Sequence, residues 1–265
     1  MNSLLTPAEK EDLLGAWQKE GGISGNALKI IACIFMFFDH LSQGVALNSI
    51  GFQVSKTYNS LGIPVFWNVP LGEIMGTVAT LFGRIAFPIF CFLLVQGALL
   101  TRDYKKQILR LLAFAFISEI PFNLCLSGEP FYLGHQNVFF TLAFGVAMVV
   151  LLQEMETRFD GRKKSLLQAL IFILIAVLCE MLNFDYGAAG IIAIVLFYLA
   201  AWSRRRTMTM GLFAFFFEAP LYGMVYLSLP LIYSYNGKRG MGSRYGFYIF
   251  YPGHLLLLYL LSLWI

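Results

Sequence analysis

Long apolar stretches divided by short charged loops leave this chain few solvents in which to fold. The runs lie at 27–50, 74–100, 108–126, 138–152, 166–182, 187–202, 208–235 and 245–265, and a bilayer crossing needs roughly 20 apolar residues of helix. Hydrophobic residues make up 58% of the chain and charged ones 13%, against about 25% charged in a soluble domain. In hydrocarbon, backbone groups must bond within the protein, which leaves helices or closed barrels. The two-residue alternation of a barrel strand is absent. The expected fold is therefore all-α, a polytopic helical membrane bundle of about nine crossings, with eight as the alternative.

Basic residues set the expected orientation. Arg102, Lys105, Lys106 and Arg110 form one cluster, Arg158, Arg162, Lys163 and Lys164 a second, Arg204 to Arg206 a third, and Lys238, Arg239 and Arg244 a fourth. They hold 14 of the 19 basic residues, whereas the connections at 51–73, 127–136 and 183–186 hold only Lys56. The clusters should face the cytoplasm, which puts the N-terminus inside and makes this a multi-pass protein of the plasma or inner membrane. Run 208–235 has basic flanks on both sides, so it asks for an even number of crossings, and Glu218-Ala219-Pro220 can turn a hairpin there.

Residues 1–26 read as a cytoplasmic segment. Their charges leave no apolar core for a cleaved signal peptide, and PAEKEDLLGAWQKE can lie on the interface as an amphipathic helix through Leu13, Leu14 and Trp17. Residues 27–265 read as a single transmembrane domain, with the bilayer as its main partner. The net charge of +4 is spread over loops and does not form a surface for nucleic acid. Cys33, Cys91, Cys125 and Cys179 have no metal or redox spacing and read as small apolar fillers.

Ionisable groups within the spans carry the functional reading, because a charge near mid-bilayer costs about 2.5–3.5 kcal/mol even on insertion scales. Asp39 and His40 fall near the middle of the first run. Helical neighbours point about 100° apart, so they cannot pair with each other and should line adjoining walls of one cavity. Arg84 precedes an expected kink at Phe87-Pro88 and wants a carboxylate, Asp39 or Glu119, unless it snorkels to the interface. Glu119 stands just before Pro121, where capping a broken helix is the competing role. The remaining histidines are His135, in His135-Gln136-Asn137, and His254. No metal-type spacing links them, so no metal is expected, and proton transfer suits a histidine better. The Arg102–Arg110 cluster can serve topology alone or bind the phosphates of a coenzyme.

At these residues the chain resembles the TraX family of membrane proteins, associated with N-terminal acetylation of conjugative pilin. The matching stretches are SGNALKIIACIFMFFDH, GRIAFPIFCFLLVQG, RLLAFAFISEIPF, HQNVFFTLAFG, YNGKRG and FYIFYPGHLLLLYL, in order from Ser24 to Leu260. That family is similar to the wider transmembrane acyltransferases, including the acyltransferase-3 superfamily. The resemblance implies an intramembrane histidine, matched by His40, and cytoplasmic basic residues that handle acyl-CoA, matched more loosely by Arg102, Lys105, Lys106 and Arg110.

The expected function is acyl transfer, most simply of an acetyl group from cytoplasmic acetyl-CoA to an amine or hydroxyl on a protein (a pilin N-terminus) or glycan acceptor. His40 would be the general base or carry the acyl group, with His254 a second base candidate. Arg84, His135, Gln136 and Asn137 would position substrate or steady the oxyanion, and Asp39 and Glu119 would set the charge and orientation of their neighbours. A small proton-coupled transporter using the same Asp/His/Arg/Glu set is the alternative.

Overall fold

A computed structural model describes residues 3–44, 69–216, 223–242 and 245–264. The chain is all-helical, and the described residues contain isolated β-bridges but no strand. Among the described residues eleven α-helices follow in order: α1 Pro7–Trp17, α2 Gly25–Gln43, α3 Leu71–Gly83, α4 Ala86–Leu100, α5 Tyr104–Ser127, α6 Val138–Arg158, α7 Gly161–Met181, α8 Gly187–Ala200, α9 Arg204–Ala214, α10 Ser228–Tyr233 and α11 Gly246–Ser262, with a 3-10 turn at Met224–Leu227 before α10.

Five segments among the described residues are long and apolar enough to cross a membrane: α2, the joined pair α3–α4, α5, α6 and α7. Shorter apolar helices stand beside them at Gly187–Ala200, Met224–Tyr233 and Gly246–Ser262. Leu166, Leu170, Ile173, Leu174 and Met181 on α7 and Phe116 and Ile117 on α5 are exposed, the arrangement of side chains whose solvent is lipid. The Glu218-Ala219-Pro220 turn and Arg244 lie outside the described residues.

α4, α6 and α8 form the centre. Ile89, Cys91, Phe92, Val146, Met148, Val149, Ile191, Ile194 and Phe197 are buried there in one cluster. Gly145 and Gly190 let α6 and α8 close up, since a Cβ at either would run into Ile194 or Thr141. α2 leans on α3 and α4, while α11 packs between α5 and α2.

Three local features depart from the expectations. The second apolar run bends at Arg84–Ile85 rather than at Phe87-Pro88. Pro88 has no N–H to give the carbonyl four residues earlier, that of Arg84, and with the break at Arg84–Ile85 it sits in the first turn of α4, where its missing donor is harmless. Pro121 does not break α5, which runs on to Ser127 and stops at Gly128 in the left-handed region. Leu13 and Trp17, expected on the membrane interface, are fully buried. A capping box between Thr6 and Glu9 starts α1, and the Trp17 indole donates to Ala201 O at 2.7 Å. Arg204 lies over the same ring and donates to the carbonyls of Trp17, Tyr233 and Tyr235.

The start of α2 is closed by the loop after α10. Ser24 caps it, and the first-turn N–H groups of Gly25 and Asn26 donate to Lys238 O and Arg239 O at 2.9 and 2.8 Å. Those donors have no partner within the helix, so the loop fixes where α2 begins.

Candidate functional site

α2 delivers Asp39 and His40 at its last turn, not at mid-helix, because it ends at Gln43 with Gly44 N–H bonded to His40 O. The two side chains diverge as helical neighbours must. Asp39 turns toward α3, where Gly83 lies against it and a Cβ would overlap its side chain. Gln43 Nε2 donates to Asp39 Oδ1 at 2.6 Å, Ser42 ties the Asp39 carbonyl to Thr80, and Arg84 acts on the carboxylate electrostatically.

His40 turns the other way, to α11. Its Nδ1 lies 2.8 Å from His254 Nε2, and His254 Nδ1 lies 2.8 Å from Phe250 O one turn earlier. A carbonyl only accepts, so His254 carries its hydrogen on Nδ1 and, as neutral imidazole, accepts at Nε2 from His40 Nδ1–H. His40 Nε2 is then the nitrogen with a lone pair to offer. Both rings are buried, and aromatic groups hold them: Tyr251 stands edge-on to His40, while Phe250 stacks on His254.

Polar groups of α5 and of the α5–α6 and α7–α8 loops complete the surround. Glu119 accepts from Asn137 Nδ2 and, at 3.4 Å, from Asn123 Nδ2. Asn137 also donates to Ala115 O at 2.8 Å and caps α6 by accepting from Phe139 N–H, so its side chain is fully engaged in joining α5 to α6. Gln136 Nε2 donates to Leu133 O within its own loop, and its backbone bonds to Asn183 and Asp185. His135 Nε2 lies 3.3 Å from Asp185 Oδ1. That hydrogen bond, with the nearby carboxylates, holds the His135 imidazole above its ordinary 6.5. His135 reaches His40 electrostatically, and Asp185 reaches Asp39.

Next to Asp185, Tyr186 takes a left-handed backbone, φ +62°, a conformation a bulky residue adopts only when its surroundings enforce it. The Tyr186 ring stacks on that of Phe87, centroids 3.5 Å apart. Among the described residues no three His, Cys, Asp or Glu side chains assemble as metal ligands.

A sequence-family profile described as TraX protein matches residues 24–262. The chain belongs to the TraX family. It is also 31% identical, over 195 residues covering 66% of this chain and 79% of the relative, to the probable fimbrial assembly protein FimC, serogroup H1, of Dichelobacter nodosus. No solved structure matches it. The TraX match takes in the whole dyad and its surround and begins only after α1.

The basic cluster of this TraX chain stands apart from the dyad. At about 1.5 Å per residue, Lys105 and Glu119 are about 21 Å apart along α5. Arg102, Lys105 and Lys106 are exposed, and Lys106 pairs with Asp103 at 3.8 Å. Arg110 is half-buried, and its Nε meets no acceptor among the described residues. Two members of the surround were not singled out from sequence. Asp185 could have been found as a lone carboxylate in a loop free of basic residues, and Tyr251 as the residue three before His254, on the same helical face.

Proposed function

We propose that this TraX-family protein is a membrane-embedded acyltransferase that moves an acetyl group from acetyl-CoA to an amine or hydroxyl acceptor. The observation that carries the reading is the His40–His254 pair, because it fixes one tautomer and presents His40 Nε2 as a base in a buried site walled by aromatic rings. A general base needs that combination of orientation and restricted water. The name of the fimbrial relative supports an acceptor on a pilin-type subunit.

In this reading His40 Nε2 takes the proton from the acceptor N–H or O–H as its lone pair attacks the thioester carbonyl. The tetrahedral intermediate collapses with cleavage of the C–S bond, and His40 returns the proton to the departing thiolate. Acylated acceptor and free thiol leave, and the dyad is restored. His254 supports the imidazolium through the hydrogen bond to His40 Nδ1, much as a buried acceptor orients the base of a hydrolytic triad. Asp39, with Arg84 and Gln43, fixes the end of α2 from the other side.

Arg102, Lys105 and Arg110 suit the phosphates of the coenzyme: two are exposed cations, and Arg110 Nε is a donor in want of an acceptor. Their distance from the dyad calls for a long, extended donor molecule, which a pantetheine arm provides. On the positive-inside reading this end faces the cytoplasm, where acetyl-CoA is found.

The test is reconstitution in liposomes with labelled acetyl-CoA and candidate acceptors. Wild type should transfer label, and His40→Ala should lower the rate by about 10²–10⁴-fold while still binding coenzyme A. Undiminished transfer by a folded His40→Ala protein would remove the histidine from the chemistry.

A further inference from the structure

We infer that Tyr251 is a further catalytic residue, its phenol donating the hydrogen bond that stabilises the oxyanion formed when the acceptor attacks the acyl carbonyl. The inference rests on the acyl-transfer reading above and assigns a task that the reading leaves open, since Asn137 is consumed in capping α6 and holding Glu119.

Three observations converge on Tyr251. Its ring stands edge-on to His40, with centroids 5.9 Å apart and planes at 73°, and lies 5.7 Å from His254, so the ring packs directly against both histidines. The side chain is 2% exposed, yet its O–H donates to no acceptor among the described residues. Finally, Oη reaches toward the amino end of α6, where the Val138 N–H faces it. α6 is 21 residues long, and its amino end carries the positive pole of the helix dipole.

A buried hydroxyl whose proton meets no acceptor is costly to a fold, and phenylalanine would fill the same volume without that unused donor. A tyrosine kept here is explained if its proton is reserved for charge that develops during the reaction. An oxyanion in this position would receive the Tyr251 O–H, supported by the α6 terminus, while His40 holds the acceptor's proton. No proton leaves Tyr251. The hydrogen bond strengthens as the carbonyl oxygen becomes negative and weakens again when the C–S bond breaks.

The experiment compares wild type, Tyr251→Phe and His40→Ala in proteoliposomes with acetyl-CoA and an acceptor that wild type uses. Tyr251→Phe should lower kcat by about 10²–10³-fold, leave KM for acetyl-CoA within about threefold, and unfold at a temperature equal to or about 2–4 °C above wild type. A structural tyrosine would give the reverse: a lower unfolding temperature with kcat nearly kept. Either that result or a folded Tyr251→Phe protein with kcat within twofold of wild type overturns the assignment. If wild type itself transfers no acyl group to any acceptor offered, the acyltransferase reading fails first, and with it the role given to Tyr251.

Discussion

His135 and Asp185 show how a residue pair at the edge of the site should answer to pH. The hydrogen bond to Asp185 raises the folded-state value of His135, so its stabilising effect is complete below the unfolded value of about 6.5 and disappears as pH climbs through the raised one. With side chains 45% and 25% exposed, solvent screens the pair and its worth stays below about 1 kcal/mol. The unfolding midpoint in detergent should therefore drop by no more than about 2–4 °C on going from mildly acidic to mildly alkaline buffer, and Asp185→Asn should flatten that slope. A slope unchanged in Asp185→Asn would assign the pH response to another group. At this scale the sequence was most informative where cost was highest. Asp39, His40, Arg84 and Glu119 are conspicuous because lipid tolerates ionised groups poorly, and His254 because it interrupts an apolar run. Asp185 sits in a loop, where a carboxylate is ordinary, and a tyrosine in a membrane span draws no notice. Which nitrogen of which ring meets the other depends on α2 and α11 being neighbours, and no local pattern encodes that.

Among the elements, the α2–α3 contact is the tightest near the site. α3 has to end in a residue without a side chain, because a Cβ at Gly83 would fall on Asp39. Gly83→Ala should cost about 1–3 kcal/mol, measurable by denaturant titration in micelles. Adding Asp39→Gly should recover part of that loss, since the atoms in the way are Asp39 Cβ, Cγ and Oδ1; additive losses in the double variant would mean that the strain lies elsewhere. The helical runs were legible from hydropathy alone, and their all-helical character follows from lipid leaving the backbone no other partner. Their interruptions were harder to read. Pro88 and Pro121 look alike in sequence, yet one follows a break and the other rides within α5. The difference is tertiary: the first lies beside Gly83 and Arg84, which meet Asp39, and the second interrupts a helix held on both sides by α6 and α11. The amphipathic look of α1 pointed to a membrane surface, but the same apolar face fits a groove of protein as well, and Arg204 supplies the clamp.

For the molecule as a whole, the opposed placement of cations and dyad calls for two aqueous faces. α5 spans about 36 Å from Tyr104 to Ser127, enough to separate them by a bilayer. In right-side-out vesicles a membrane-impermeant maleimide should label Glu129→Cys and spare Lys105→Cys, the native cysteines being buried; the opposite pattern would invert the orientation taken from the basic clusters. The dyad joins residues 214 positions apart, and Trp17 finds its acceptor 184 positions downstream. During synthesis, then, the nascent chain carries His40 without its histidine partner for more than two hundred residues, and the pair forms only once α11 has been made. On the acyl-transfer reading, a chain cut short of α11 would hold His40 without the ring that fixes its tautomer, and should leave an inert fragment.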